Sequence, residues 1–260
     1  MPIDAPRNNL ITGARYMFEG ARLLLHPKLR PYILVPLIVN CVLFIVLTSV
    51  LLSYFWTVFN EGSSWIPESI QPWVAPFAWF VWFIVGVLFL IVYGYSFNVI
   101  TNIIAAPFYG LLAESVERVL TGQGPPEESL SAMIFRTLGR EFSKLMYFLG
   151  RGLLIILVMV LVGFIPLVQV LAPLIGMLWG AWSMAIQYAD YPADNHQLPF
   201  SRTRLALWNR MASTFGFGSC LMTCSVIPIV NIFAMPAAVA GGTLFWLKEL
   251  KEQVELDKRQ

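Results

Sequence analysis

At 260 residues, 58% of them hydrophobic and only 12% charged, with a mean hydropathy of +0.70, the chain has too little polar surface to dissolve as an ordinary globular domain. An integral membrane protein is the reading that remains. The formal net charge of +2 gives no footing for a nucleic-acid partner, but the placement of the charge is informative.

All 17 Lys and Arg residues fall outside four uncharged runs, Pro31 to Asn60, Ser69 to Ala113, Gly152 to Ala189 and Met211 to Leu247. None lies between the first run and the second, where the link carries Glu61 and Glu68, whereas every other connection and both ends are basic. By the positive-inside rule that link faces outward, and both termini and the remaining loops face the cytoplasm. The first apolar stretch is too long for the h-region of a cleavable signal, so the N-terminus is expected to stay. Cys41, Cys220 and Cys224 sit inside apolar runs, which predicts no disulfide framework. They read as small buried hydrophobes, since no His or carboxylate accompanies them.

From Leu10 to Leu25, apolar residues recur at helical spacing, with Asn9, Thr12, Arg15, Glu19 and Arg22 on the other face. Residues 8–27 are thus an amphipathic helix that either lies on the membrane surface or packs on the rest of the protein. Pro31 suits a first helical turn, and the run beyond it exceeds the roughly 20 residues needed to cross about 30 Å of hydrocarbon, so residues 31–59 span once. A return span from about Trp73 to Ile100 is expected to continue past a kink at Pro107 into a cytoplasmic helix, the whole covering residues 72–120. Trp56, Trp65, Trp73, Trp79 and Trp82 gather near the outward ends as an interfacial belt. Residues 127–151 mix charged and apolar residues and predict one or two cytoplasmic helices.

The third and fourth runs, 152–189 and 211–247, are each broken near the middle by two prolines, Pro166 and Pro173 in one, Pro228 and Pro236 in the other. Each arm holds about 13 residues, roughly 20 Å of helix, too short to cross. The breaks repeat: Ile165-Pro166-Leu167-Val168-Gln169 in one answers Ile227-Pro228-Ile229-Val230-Asn231 in the other, a polar amide three residues after each first proline. Two re-entrant helical hairpins follow, entering from the cytoplasm and leaving on the same side, with a cytoplasmic connection at 190–210 and a tail at 248–260. Irregular backbone at that depth must be shielded by protein or line an aqueous cavity. Paired interruptions of this kind mark either a transporter's binding site or two hairpins that only pack the fold.

No phosphate-binding loop, H-E-x-x-H or G-x-S-x-G occurs, and the glycine pairs at Gly122/Gly124 and Gly216/Gly218 lack the strand and helix context of a nucleotide site, so neither an enzyme nor a cofactor is expected. His196, with Asp190 and Asp194, reads first as turn and cap chemistry, with proton handling as the alternative. Lys28-Leu29-Arg30 precedes the helix at Pro31, bringing main-chain N–H groups, a positive helix end and two cations to a place that suits an oxyanion; the alternative is anchoring at lipid phosphates. Glu114 and Arg118, four apart, can pair on one helix face, as structure or as a gate. Neutral polar groups in the apolar runs, including Asn98, Asn102, Gln169 and Asn231, offer an ion a path without a trapping charge.

Ile104-Ala105-Ala106-Pro107-Phe108-Tyr109-Gly110-Leu111-Leu112-Ala113-Glu114, then Ala185-Ile186-Gln187-Tyr188-Ala189-Asp190-Tyr191-Pro192-Ala193-Asp194-Asn195-His196, and the repeated Ile-Pro hairpins resemble the bacterial CysZ sulfate permease family over nearly the whole chain. The resemblance implies a proton-dependent sulfate transporter or channel of the inner membrane that feeds cysteine biosynthesis. It also implies a sulfate-binding segment before the first span, which in that family reads Pro-Gly-Leu/Ile-Arg-Arg. Pro27, Leu29 and Arg30 agree, while Lys28 replaces the glycine and Pro31 the second arginine, restoring charge without a guanidinium fork. Tyr109 stands where the family commonly has Asn.

The expectation is an all-α integral membrane protein with two full transmembrane helices, two Pro-broken hairpins and a cytoplasmic helical portion, assembled as a homo-oligomer in the lipid bilayer. Lys28, Leu29, Arg30 and Arg22 are the candidates for sulfate binding. Gln169, Asn231, Pro166, Pro228, Asn98 and Asn102 are those for the translocation path, and Glu114, Arg118, His196 and Asp190 those for gating or proton coupling. The rival reading is a non-transporting membrane scaffold that recruits biosynthetic enzymes.

Overall fold

The computed structural model describes residues 8–62, 69 and 71–257, and every regular element among them is helical. The expected outward link with Trp65 and Glu68, and the tail residues Lys258 and Arg259, lie outside the described residues.

Helix α1 (Leu10–Leu23) starts at Asn9, whose side chain accepts the Thr12 N–H at 2.7 Å. A 3₁₀ turn, Pro27–Leu29, leads into α2 (Arg30–Gly62). Helix α3 (Gln71–Thr121) runs 51 residues through Pro107 and stops where Gly122 takes φ +73°, a conformation glycine adopts without steric penalty. Then come α4 (Leu130–Gly163), α5 (Leu171–Asn195), α6 (Phe200–Asn209), α7 (Met211–Val226) and α8 (Pro228–Phe245). A π turn at Trp246–Leu250 and the short α9 (Lys251–Asp257) follow.

The chain divides into two compact units. In Pro36–Ala105 the bodies of α2 and α3 pair antiparallel: the Thr48 and Tyr93 hydroxyls lie 2.7 Å apart, and ring pairs Phe44–Phe97, Phe55–Phe89 and Phe59–Trp82 hold the seam. Otherwise the helices are bare, with 7% of the apolar window of α2 and none of that of α3 buried. So much exposed hydrocarbon is stable only when the surrounding solvent is itself apolar.

The other unit, Met1–Val35 with Ala106–Gln260, is assembled by close helix approaches at glycine. A Cβ on Gly13 would sit 1.9 Å from the Ser213 carbonyl oxygen, and one on Gly216 2.0 Å from that of Leu10, so α1 lies backbone to backbone on α7. Gly20 and Gly241 bring α1 and α8 together in the same way, and Gly218 and Gly242 seat α7 and α8 on α5. Helix α1 thus packs on the protein. Its buried face is Gly13, Tyr16, Met17 and Gly20, while Ile11, Arg15, Phe18 and Arg22 point outward.

Helix α4 departs from expectation. The charged segment 127–151 and the first arm of the third run form one 34-residue helix, because no proline interrupts it between the Ser129 cap and Phe164, and its internal glycines cost only about 1 kcal/mol each. Among the described residues three helices, rather than the expected two, are therefore long and apolar enough to cross a membrane: the segments Pro27–Gly62, Pro76–Gly94 and Leu130–Gly163.

Only the first proline of each pair breaks its run. Between α4 and α5 a turn is closed by short-range bonds, the N–H groups of Val168 and Gln169 both donating to the Ile165 carbonyl, with Leu167 at φ +71°. Pro173 falls harmlessly in the first turn of α5. Between α7 and α8 the break is the single extended residue Ile227, after which Pro228 opens the helix directly, and Pro236 lies inside α8. The sequence repeat thus becomes two different turns.

Candidate functional site

At the start of α2, Leu29 is fully buried and fixes the segment, while Arg22, Lys28 and Arg30 are exposed. The Lys28 N–H donates to Nδ1 of His26 at 3.3 Å and the Leu29 N–H to the His26 carbonyl at 3.0 Å. Two of the main-chain donors expected to face an oxyanion are therefore already engaged, and Leu29 is an anchor rather than a contact. The positive charge of this segment resides in its three side chains.

At the hairpin tips, Pro166 and Gln169 are exposed in the first turn, beside the outward-facing Phe164, Leu167 and Val170. Asn231 lies in the first turn of α8, its Oδ1 buried and without a hydrogen-bond partner. The side chains of Pro228, Asn98 and Asn102 lie outside the described residues.

The densest polar structure joins α4 to the end of α5. Arg140 holds Asp190 from two sides, Nε to Oδ2 at 2.8 Å and Nη2 to Oδ1 at 2.6 Å, with Lys144 Nζ 3.7 Å from Oδ2. One helical turn along, Arg136 bridges Asp194, at 2.6 Å, and Glu128, at 2.9 Å, and the Thr137 hydroxyl donates to Asp194 at 3.1 Å. In the other direction Lys144 pairs with Glu141, which accepts from the Gln187 amide at 3.1 Å. Asp190 and Lys144 are sealed from solvent. Burial pushes the Asp194 carboxyl above its ordinary value, the attraction of Arg136 offsetting this only in part.

His196 belongs to a separate cluster. Its Nε2 is 3.0 Å from Glu117 of α3, which also accepts from Lys251 Nζ of α9 at 3.1 Å, so α9 is tied to the C-terminal end of α3. Asn195 adds a bond from its amide to the Gly110 carbonyl at 2.8 Å. Glu114 and Arg118 pair at 2.8 Å on the wall of a polar cleft of about 270 Å³, which Glu128, Arg136 and Asn195 complete. Asp190 and His196, grouped by sequence, thus serve different partners.

Burial tends to raise the Glu117 carboxyl, but the hydrogen bonds and charges of His196 and Lys251 outweigh it, and the group titrates below its ordinary value. A carboxyl depressed on folding stabilises the protein fully above its unfolded pKa, and that contribution is lost as pH falls through the folded pKa. Glu117→Gln should therefore lose less stability than the unaltered protein on acidification below the ordinary carboxylate range. Paired thermal-unfolding curves across that range check this, and parallel curves would refute it.

The family model described as Sulfate transporter CysZ/Etoposide-induced protein 2.4 matches residues 16–236. The chain belongs to this family. A protein named Sulfate transporter CysZ from Pseudomonas aeruginosa strain LESB58 is 38% identical over 247 residues, covering 94% of this chain and 97% of the relative. Its namesake from Pseudomonas fluorescens strain Pf0-1 is 39% identical, covering 92% and 94%, and that from Salmonella typhimurium strain LT2 is 36% identical, covering 91% and 92%.

For this CysZ-family chain, sequence reasoning named Asp190, His196, Glu114 and Arg118 but missed Arg136, Arg140, Lys144 and Glu117. A signal was present. Arg136, Arg140 and Lys144 recur every fourth residue, as do Asp190 and Asp194, so each set marks one helix face. Two such faces of opposite charge match when α4 and α5 run antiparallel.

Proposed function

We propose that this chain carries sulfate across the bacterial inner membrane, as a transporter or channel supplying sulfur for cysteine biosynthesis. The observation that carries the proposal is similarity over more than nine-tenths of the chain to proteins named Sulfate transporter CysZ. The charge pattern supports cytoplasmic termini, and the two proline-marked turns support hairpins that enter and leave on that side. Arg22, Lys28 and Arg30 first capture the anion on a segment that Leu29 holds in place. Gln169 and Asn231 then offer neutral amides along the path, and the Glu114–Arg118 pair gates the polar cleft. Proton coupling falls to His196, in contact with Glu117. The apolar tip around Leu167 is covered by lipid and by further copies of the chain.

The test is uptake of radiolabelled sulfate by proteoliposomes containing the purified chain. The expected result is saturable uptake above that of empty liposomes, with selenate as competitor. Uptake no greater than that of empty liposomes refutes transport.

A further inference from the structure

A groove of about 610 Å³ runs between α4, α5, α6 and α7. It has a direction. On α4, Tyr147 and Arg151 belong to the last charged turns, and Leu154 lies one turn further into the uncharged run. On α5, Leu178 is nearer the hairpin turn than Trp182. One end is therefore aromatic and cationic at the cytoplasmic boundary, and the other is purely apolar toward the hairpin tip.

The cationic end is unneutralised. Arg136 and Arg140, on the same helix, are committed to Asp194 and Asp190, but among the described residues neither Arg151 nor Arg204 has a carboxylate partner. Arg151 is exposed. Arg204 is held with its guanidinium 4.6 Å from the Tyr147 ring centre and 4.9 Å from that of Phe200, yet its Nε is buried without an acceptor. The Tyr147 ring is fixed in turn, its hydroxyl accepting the Trp182 indole N–H at 3.0 Å. A positioned guanidinium with an unused buried donor calls for an anion carrying several oxygens. The apolar length below it calls for a hydrocarbon chain attached to that anion.

We infer that this groove binds an acidic phospholipid of the cytoplasmic leaflet, its phosphate between Arg151 and Arg204 and one acyl chain along Leu154 and Leu178. A free inorganic oxyanion would satisfy the arginines but leave the apolar length unfilled, and a zwitterionic lipid, whose own ammonium offsets its phosphate, would bring no net negative charge to the two guanidiniums. The site is separate from the hairpin amides and from Lys28 and Arg30, so it stands whether or not the chain moves sulfate.

Native mass spectrometry of the detergent-purified full chain, titrated with phosphatidylglycerol or phosphatidylcholine, tests the assignment. Phosphatidylglycerol is expected to be retained more tightly. Arg151→Gln, at an exposed residue with no partner to lose, should weaken its retention about fivefold while leaving phosphatidylcholine and the unfolding temperature unchanged. Excess inorganic sulfate should leave the bound lipid in place. Equal retention of the two lipids, indifference to Arg151→Gln, or displacement of the lipid by inorganic sulfate would each overturn the assignment. So would a groove that retains no lipid and instead holds copies of the chain together.

Discussion

Asp190→Ala is expected to destabilise the folded protein by about 3–5 kcal/mol, seen as a large drop in thermal stability in detergent. The carboxylate is sealed from solvent between Arg140 and Lys144, and Lys144 is itself buried. Removing it leaves two cations facing each other in a low-dielectric space with only Glu141 near Lys144 and a cavity where solvation was. The penalty is that of stranded charge, not the net worth of the pair. Substituting Asp190, Arg140, Lys144 and its buried partner Glu141 together with apolar residues of similar volume should therefore recover much of the loss. Glu114→Ala is the control: its pair with Arg118 is partly exposed, and such pairs contribute about 0–1 kcal/mol. A cost for Asp190→Ala no larger than this control would mean that the α4–α5 network does not hold the unit together.

The second large effect concerns transport. Asn231→Leu combined with Gln169→Leu should reduce sulfate uptake to the level of empty liposomes while leaving the unfolding temperature unchanged or slightly higher. Gln169 is exposed and Asn231 Oδ1 is buried without a partner, so neither amide has a folding contact to lose. An unsatisfied buried polar group costs about 1–3 kcal/mol, so replacing Asn231 with an apolar residue is not expected to lower stability. Full uptake by the double variant would remove both residues from the path, whereas no uptake by the unaltered protein would favour the scaffold reading.

Much of the molecule was legible because lipid imposes coarse, local rules. A run without charge, a link without Lys or Arg and a proline at a helix start are each decided within about twenty residues, which is why α2, α3 and the two hairpin breaks could be placed. The end of α3 at Gly122 was legible for the same reason. The unbroken α4 was not, since the eye separates a charged segment from an apolar one, whereas the backbone follows only propensity and breakers, and nothing between Ser129 and Phe164 stops it. Nor could the repeated Ile-Pro motif reveal that one copy makes a turn of several residues and the other a single-residue break, because that depends on the packing of the arms.

The amino-acid order by itself determined that this is a helical membrane protein, that its third and fourth apolar runs break near the middle and where its positive charge lies, all of which follow from short-range solvation and backbone sterics. Only the tertiary structure decided that α1 lies on α7 and α8 through glycine, that Asp190 answers to Arg140 and Lys144 while His196 and Lys251 share Glu117, and that Arg151 and Arg204 line an apolar groove without a carboxylate partner among the described residues. The physical reason is distance along the chain. Close helix approaches and buried charge pairs join residues some fifty to two hundred positions apart, and their energies exist only once desolvation has brought those residues together.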